Sequence, residues 1–220
     1  MKAITKYWFL EGFNLFRKLG IHNMMRMCEI LEMDNYNKGD IISLEDERDK
    51  SVFFLKKGSV KIVNTANDSV KYIVKRGNIF GELALYDKEA AKEEIAYALE
   101  DSVICYIETD QMEKLMEKHK SLKNGVLKIY GLRIKKLERR LHDLLYKDSP
   151  TRIKEFILDY LDEFGETNKT GHRVAKNLLS HKEIANLTNT SRQTVSNVLS
   201  GMRKNGLIDY NMQSISDTKN

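Results

Sequence analysis

The sequence of 220 residues has few of the residues that mark fibrous, disulfide-stabilised or membrane proteins. A single proline, Pro150, argues against a collagen-like segment, a proline-rich linker or a long disordered tail. Two cysteines, Cys28 and Cys105, cannot build a disulfide scaffold or a four-cysteine zinc or iron–sulfur site. No apolar run approaches the roughly 18 residues that a membrane-spanning helix needs. With 41% hydrophobic residues, the chain has enough apolar side chains for the cores of ordinary globular domains.

Histidine is also scarce, which argues against a metalloenzyme. The five histidines are scattered, and none lies in residues 33–108, where a β-roll enzyme of the cupin type would need a metal-binding cluster. No Ser-His-Asp or Cys-His set is evident. We therefore expect no catalytic residues, no metal site and no enzymatic activity. The apolar patch at residues 7–10 is too short for the core of a signal peptide, so a cytoplasmic location and no membrane partner are expected.

Residues 33–107 have the pattern of a small antiparallel β domain. Glycines recur at equal intervals, at Gly39, Gly58 and Gly77, and are expected at turns that need a positive φ. Many short strands at such spacing indicate an antiparallel sandwich or a barrel-like roll. Residues 1–31, before the roll, are expected to form short helices. The strand-like runs are residues 40–44, 52–55, 59–63, 70–74, 95–99 and 102–107.

After Thr109 the apolar residues adopt helical spacing, and residues 121–147 predict one long helix. One set of its apolar positions alternates by three and four residues, which is typical of a coiled-coil seam, so a parallel two-fold homodimer is expected. The alternative is a helix packed on its own domain through a second apolar stripe, and the presence of two stripes favours the use of both. The seam positions are Leu127, Tyr130, Ile134, Leu137, Leu141 and Leu144, and the second stripe is Leu122, Val126, Ile129 and Leu132.

The residues after the long helix predict a small helical module. Asp148-Ser149-Pro150 ends the long helix, and a new helix is expected over residues 151–164, followed by a polar loop at residues 165–171. Ser180 and Glu183 then form a capping box that opens a further helix to about Leu187.

A tight turn and a second capped helix come next. Asn189 can adopt the left-handed conformation that such a turn requires, Ser191 caps a helix to about Asn205, and Gly206 ends it. Two short helices joined by this turn form a helix-turn-helix. Residues 207–210 and 214–216 would add a wing hairpin. The residues expected to face inward are Ile184, Ala185, Leu187, Val195, Val198 and Leu199.

The outward face of the second helix has the chemistry of a DNA-reading surface. Arg192 matches the O6/N7 edge of guanine, and Gln193 or Asn197 matches the N6/N7 edge of adenine. Lys182, Ser191 and Thr194 are suited to phosphates. The local charge agrees, because residues 171–208 carry one carboxylate, Glu183, among several basic side chains. Double-stranded DNA is the expected partner, and the outward residues are Ser191, Arg192, Gln193, Ser196, Asn197 and Arg203.

The order of roll, long helix and winged helix-turn-helix resembles the CRP/FNR family of bacterial transcriptional regulators over essentially the whole chain. Residues 191–199 (SRQTVSNVL) are similar to the recognition helix of that family, and residues 77–85 (GNIFGELAL) to the opening of its phosphate-binding cassette. The resemblance implies an α+β protein: an antiparallel β roll of the double-stranded β-helix or jelly-roll type, a dimerisation helix and a DNA-binding domain. The expected boundaries are residues 1–120, 121–148 and 149–220.

The resemblance also implies an effector pocket at Gly81, Glu82, Leu83 and Lys92, but the cassette departs from the cAMP-binding pattern. Where those members have Arg-Ser-Ala, this chain has Lys92-Glu93-Glu94. Lysine lacks the bidentate fork of arginine, and the two carboxylates would repel a phosphate. Cyclic nucleotide is therefore disfavoured and no cofactor is predicted. Glu82 could equally be a structural carboxylate that caps the neighbouring turn.

Other effectors of the family have no better support in the sequence. No N-terminal cysteine run can hold an iron–sulfur cluster, and His22 and Cys28 lack the context of haem ligands. The effector is an unknown small molecule, and a ligand in the roll would bias a hinge near Asp148.

The sequence thus predicts a homodimeric regulator that reads a near-palindromic operator. A variant is a degenerate roll on a dimer that binds DNA constitutively. The alternative is a diverged β-roll sensor or interaction module without DNA binding. RNA polymerase is a further candidate partner, but no residue identifies a surface for it, and neither the operator nor the sign of regulation can be read from the residues.

Overall fold

The computed structural model describes residues 13, 15–16, 19–44, 50–85 and 93–218. The chain divides into two compact units, Met1–Lys135 and Lys136–Asn220. The described helices of the first unit are α1 (Ile21–Ile30), α2 (Thr109–Lys118) and the first part of α3 (Lys120–Tyr146). Its strands are β1 (Glu32–Tyr36), β2 (Ile41–Ile42), β3 (Ser51–Lys57), β4 (Ser59–Asn64), β5 (Ser69–Lys75), β6 (Ile79–Phe80), β7 (Glu94–Ala98) and β8 (Ser102–Glu108).

These strands form two antiparallel sheets, ordered β1-β8-β3-β6 and β2-β7-β4-β5. Side chains on a strand point alternately to its two faces, and β3 shows this clearly. Phe53 and Leu55 lie in the core between the two sheets. Val52 and Phe54 lie in a second core, where the other face of their sheet packs against the helices. The antiparallel roll expected from the sequence is confirmed.

The turn glycines have the expected backbone conformation. Gly39, Gly58 and Gly77 have φ values of 93°, 91° and 83°. At Gly58 there is also no space for a side chain, because a Cβ there would lie 2.9 Å from the backbone oxygen of Asp101. The recurring glycines therefore do mark the connections between strands, because these connections need a positive φ that other residues rarely adopt.

Several short elements differ from the sequence expectation. The strands β1 and β6 fall outside the runs identified from the sequence, and β1 pairs along its whole length with β8. Of the helices expected in residues 1–31, the described part of the chain contains α1, and the apolar patch at residues 7–10 lies outside the described residues. Helix α2 begins at Thr109, where the helical spacing of the sequence starts, and Thr109 is buried.

The two apolar stripes predicted for the long helix α3 differ in their exposure to solvent. Leu122 and Val126 are fully buried in the helix-facing core of the roll, and Ile129 packs against it. Leu132, assigned to the same stripe, is 54% exposed. Four of the seam residues, Leu127, Ile134, Leu137 and Leu141, are exposed in the single chain, and Leu144 is half-buried.

Tyr130, which was also assigned to the seam, contacts the roll. It is half-buried against the core of the roll, and its hydroxyl donates a hydrogen bond of 2.5 Å to the backbone oxygen of Glu82. A side chain at the border between two helical stripes can contact the partner of either stripe, and the Tyr130 hydroxyl bonds to an acceptor on the roll.

The second unit contains the helices α4 (Ser149–Phe164), α5 (His181–Thr188) and α6 (Arg192–Lys204), and the strands β9 (Glu166–Thr167), β10 (Arg173–Lys176), β11 (Ile208–Tyr210) and β12 (Ser214–Asp217). The strands form one antiparallel sheet, ordered β11-β12-β10-β9. Asp148 caps α4 by accepting a hydrogen bond from the Thr151 amide at 2.8 Å, and Pro150 lies in the first turn, as predicted. The wing hairpin is confirmed as β11 (Ile208–Tyr210) and β12 (Ser214–Asp217). The segment expected to be a polar loop instead contributes β9 (Glu166–Thr167), which pairs with β10 (Arg173–Lys176).

Candidate nucleic-acid interface and roll pocket

The first helix of the helix-turn-helix is fixed at its start by the predicted capping box. The hydroxyl of Ser180 accepts from the Glu183 amide at 3.3 Å, and the Glu183 carboxylate accepts from the Ser180 amide at 2.8 Å. Both partners satisfy backbone amides that a helix start would otherwise leave unpaired. Buried Ile184, Ala185 and Leu187 then hold α5 against the unit's core.

The turn between the two helices is built around Asn189, which adopts the left-handed conformation with φ 50° and ψ 57°. The amide of Thr190 donates to the backbone oxygen of Ala185 at 2.9 Å. The hydroxyl of Thr188 donates to the backbone oxygen of Ile184 at 2.7 Å. The short side chain of asparagine tolerates this conformation better than bulkier residues do, so the sequence signal for the turn was sound.

The second helix, α6, begins where the sequence predicted. Ser191 is its cap, with its hydroxyl accepting from the Thr194 amide at 3.0 Å. Val195 and Leu199 are buried, but Val198, which was expected to face inward, is half-buried. Asn205 ends the helix and Gly206 comes directly after it with φ 62°.

The predicted DNA-reading residues lie together on the exposed side of α6. Arg192, Gln193 and Asn197 are exposed, and Ser196 is half-buried beside them. The amide nitrogen Nε2 of Gln193 donates to Oδ1 of Asn197 at 2.9 Å. This bond orients both amides while it leaves the Gln193 oxygen and the Asn197 Nδ2 group available to a ligand.

The residues assigned to phosphates lie at the starts of two different helices. Lys182 is exposed at the start of α5. The hydroxyls of Ser191 and Thr194 lie 2.8 Å apart and share a hydrogen bond at the start of α6. This pair lies at a helix N-terminus, where backbone amides and the helix dipole favour an anion.

Arg203, which was expected to face outward, contacts the wing. Its Nε lies 3.1 Å from Oδ1 of Asp209, and its guanidinium lies over the ring of Tyr210 at 5.7 Å. Both partners belong to β11, so Arg203 joins the end of α6 to the wing. This contact could not be predicted from the helical pattern, because it depends on how the wing folds back against the helix.

Sequence analysis missed two arginines that connect to the helix-turn-helix from outside it. Nη2 of Arg140, on α3, donates to the backbone oxygen of Asn186 at 3.2 Å, and burial lowers the pKa of the Arg140 guanidinium. Arg152, on α4, donates to the backbone oxygens of Thr188 and Asn189 at 3.0 and 3.1 Å. Their acceptors are backbone oxygens, which leave no signature in the residue types.

In the first unit, the predicted effector site contains a buried carboxylate. Glu82 is fully buried in a one-turn 3-10 helix, and it forms an ion pair with Arg133 of α3. Nη2 of Arg133 also donates to the backbone oxygen of Ile79 at 3.0 Å, and its guanidinium lies 4.6 Å from the centre of the Tyr72 ring. The Glu82 carboxylate therefore connects its 3-10 helix to α3.

The two carboxylates that were expected to repel a phosphate, Glu93 and Glu94, lie in different environments. Glu94 is buried and pairs with Nζ of Lys71 at 2.6 Å, whereas Glu93 is exposed. Burial raises the pKa of the Tyr72 hydroxyl to about 12, although the nearby Arg133 acts in the opposite direction. Lys92 lies outside the described residues.

Gly81 precedes Glu82 at a tightly packed point of the roll. Its φ is 73°, and a Cβ there would lie 2.8 Å from the Ser51 backbone oxygen and 2.7 Å from the Phe53 ring. Leu83, the next residue assigned to the pocket, is half-buried. Gly81 is thus required by the packing of the roll as well as by the backbone conformation.

The described residues offer neither a metal-ligand cluster nor a membrane-spanning helix. In residues 13–44, 50–85 and 93–218, apart from positions 14, 17 and 18, no group of three or more His, Cys, Asp and Glu residues could hold a metal ion. No helix within these ranges is both long enough and apolar enough to cross a membrane.

Comparison with known proteins agrees with both halves of the structure. Residues 33–119 match the family model of the cyclic nucleotide-binding domain, and residues 151–219 match that of the Crp-like helix-turn-helix domain. The chain is 23% identical over 188 residues to a CRP-like cAMP-activated global transcriptional regulator of Mycobacterium tuberculosis, covering 84% of this chain and 83% of that protein. It is 26% identical over 205 residues to the global nitrogen regulator of Synechocystis sp., covering 91% of this chain and 88% of that protein.

The fold has solved counterparts. FixK2 from Bradyrhizobium japonicum superimposes with a TM-score of 0.73 at 17% identity, over 87% of this chain and 93% of that chain. The two regulators named above match both halves of the chain, and both are regulators rather than enzymes.

Proposed function

Because the chain belongs to the CRP/FNR family of bacterial transcriptional regulators, and is a DNA-binding regulator rather than an enzyme, we propose that it acts as a cytoplasmic homodimer on a near-palindromic operator. The observation that carries this proposal is the capped helix-turn-helix, which presents Arg192, Gln193 and Asn197 on one exposed face of α6. Two such helices related by a two-fold axis would read half-sites one helical turn apart.

In this proposal the exposed face divides between bases and phosphates. Arg192 binds the O6/N7 edge of guanine, and Gln193 with Asn197 and Ser196 reads the neighbouring base pairs. Lys182, Ser191 and Thr194 bind phosphates, where charge and the α6 N-terminus both favour an anion. The capping bonds of Ser191 support the phosphate role, since they fix its hydroxyl at the helix start.

The dimer forms through the exposed stripe of α3. Leu127, Ile134, Leu137 and Leu141 are between 48% and 63% exposed in the single chain, and a row of that kind loses its contact with water when two helices pair. Leu144 extends the row toward the end of the helix. RNA polymerase is a further candidate partner, with no surface assigned.

The effector of the roll is a small molecule other than cAMP, or the roll works without one. The support is the ion pair between Glu82 and Arg133, since Glu82 is the carboxylate that would have to reach a ribose hydroxyl. A ligand that binds Glu82 must compete with the Arg133 guanidinium, and the buried Glu94 disfavours a phosphate nearby.

Substitution of Arg192 tests the DNA-reading face. Arg192→Ala should weaken binding to the selected operator by about 1–3 kcal/mol, or roughly five- to 150-fold, and relax the base preference at one position. Fluorescence anisotropy with labelled duplexes measures both effects. Arg139→Ala is the control, because Arg139 forms an exposed ion pair with Asp159 at 3.0 Å in the same unit. Wild-type affinity and base preference in Arg192→Ala would place the reading face elsewhere.

Calorimetric titration with cAMP and cGMP tests the effector proposal. We expect no saturable heat and no thermal shift, because the pocket carboxylate is already paired with Arg133. Tight, saturable binding of either nucleotide would show that the pocket opens to a cyclic phosphate and that the proposal about the effector is wrong.

A further inference from the structure

Arg152 makes an unusual set of hydrogen bonds at the junction of three helices. It lies in the first turn of α4 and is half-buried. Its Nη1 donates to the backbone oxygen of Lys147 at 2.7 Å, and its Nε donates to the backbone oxygen of Thr188 at 3.0 Å. Its Nη2 donates to the backbone oxygen of Asn189 at 3.1 Å and to the Ser149 hydroxyl at 3.3 Å. Four contacts thus use the planar fork of one guanidinium.

The acceptors of these bonds lie at the C-terminal ends of two helices. Lys147 comes directly after α3, and Thr188 and Asn189 are the last residue and the cap of α5. The final carbonyl groups of a helix have no partner within it, and a cation is favoured there. Arg152 therefore satisfies orphan carbonyl groups of both helices at once and holds the two ends together.

The two acceptors at the end of α5 lie next to the recognition helix, so the bonds of Arg152 affect how that helix is held. Asn189 is the left-handed residue of the turn, and α6 starts three residues later at Arg192. The other acceptor lies just past the end of α3, whose positions 137, 141 and 144 belong to the proposed seam. These three seam positions, the junction and the recognition helix all lie within the second unit, Lys136–Asn220.

We propose that Arg152 is a positioning residue for DNA recognition, which fixes the recognition helix relative to the seam end of α3 and thereby sets the half-site spacing that the dimer accepts. This inference rests on the proposed dimeric function. Lysine at this position would keep the charge but could not donate in a plane to the carbonyl groups of two helices. The substitution Arg152→Lys therefore breaks this forked set of bonds, keeps the bond from Arg140 to the Asn186 carbonyl, and leaves the reading face of α6 unchanged.

The experiment compares operator spacing between wild type and Arg152→Lys. An operator is first obtained by in vitro selection with the full wild-type chain. Duplexes are then made with the selected spacing, with one base pair inserted or deleted at the centre, and with a single half-site. One added base pair rotates a half-site by about 35° around the DNA axis, because a turn contains about 10.5 base pairs. Anisotropy titrations give the dissociation constant of each duplex.

We expect Arg152→Lys to lower the preference for the selected spacing over the altered spacings by about tenfold, while affinity for the single half-site stays close to wild type. The matched control is Arg139→Lys, which weakens the ion pair between Arg139 of α3 and Asp159 of α4 and should leave the spacing preference unchanged. A residue that only stabilises the fold would weaken binding to all duplexes equally.

An unchanged spacing preference in Arg152→Lys overturns the inference, whatever the change in overall affinity. If Arg152→Lys is unfolded by circular dichroism, Arg152→Gln, which retains a single amide group, is measured on the same duplexes and decides in the same way. If the wild-type chain itself binds the selected operator with no dependence on spacing, the proposed dimeric function fails, and the inference fails with it.

Discussion

The ion pair between Glu82 and Arg133 allows a quantitative test of how the roll holds the long helix. The Glu82 side chain is 0% exposed and the Arg133 side chain 24% exposed. Removing one partner of such a buried pair leaves an uncompensated charge, so Arg133→Met should lower the free energy of unfolding by about 3–5 kcal/mol. Replacing both groups by neutral ones removes the charge as well, and Glu82→Gln with Arg133→Met should cost far less than the sum of the single changes.

Urea denaturation followed by circular dichroism measures all four chains of this double-mutant cycle. The coupling between the two sites should exceed about 1.5 kcal/mol in favour of the native pair, within the range that contacting residues show. As a control, Lys136→Met breaks the exposed pair between Lys136 and Glu163, where side-chain exposures are 71% and 35%, and should cost less than about 1 kcal/mol. Additive single changes at Glu82 and Arg133 would mean that the carboxylate is not held by Arg133.

Two further predictions concern the dimer and the cassette. Leu141→Glu places a charge in the seam and should raise the dimer dissociation constant by at least about tenfold in analytical ultracentrifugation. Leu132→Glu is the control and should not raise it, because Leu132 is similarly exposed but lies away from the seam. Equal effects of the two substitutions would exclude the seam as the interface. Gly81→Ala should destabilise the fold by about 1–3 kcal/mol more than Gly77→Ala in thermal unfolding, because both positions have positive φ but the space around Gly77 is open. Equal losses at the two glycines would contradict the contact of Gly81 with Phe53 and Ser51.

The helix-turn-helix could be predicted from the sequence because its signals are local. A capping box spans four residues, and the turn depends on one asparagine whose conformation the structure confirms. The apolar row of α3 was likewise found from spacing within one helix, and its use as a dimer seam stays a prediction. Strands β9 and β10 were missed for the opposite reason: β9 has two residues, both exposed, so it has no apolar alternation that sequence analysis could detect.

The contacts that distinguish the roll pocket could not be predicted in the same way. Arg133 occupies an ordinary polar position of a long helix, and Glu82 lies 51 residues earlier in the chain. Nothing in a helical period reveals that the two meet, and Tyr130 was assigned to the seam on the same spacing argument. The departure of the cassette from its arginine-containing pattern was a usable clue, since a buried carboxylate needs a positive partner from somewhere.

Strand β3 has a mechanical consequence for the roll. Its successive side chains belong alternately to the core between the sheets and to the core beneath the helices, while its backbone bonds to β8 and β6. Loosening either core therefore displaces a strand on which the other core also depends. The first unit should open as one cooperative body, and the amides of β3 should be among the last in it to exchange their hydrogens with solvent.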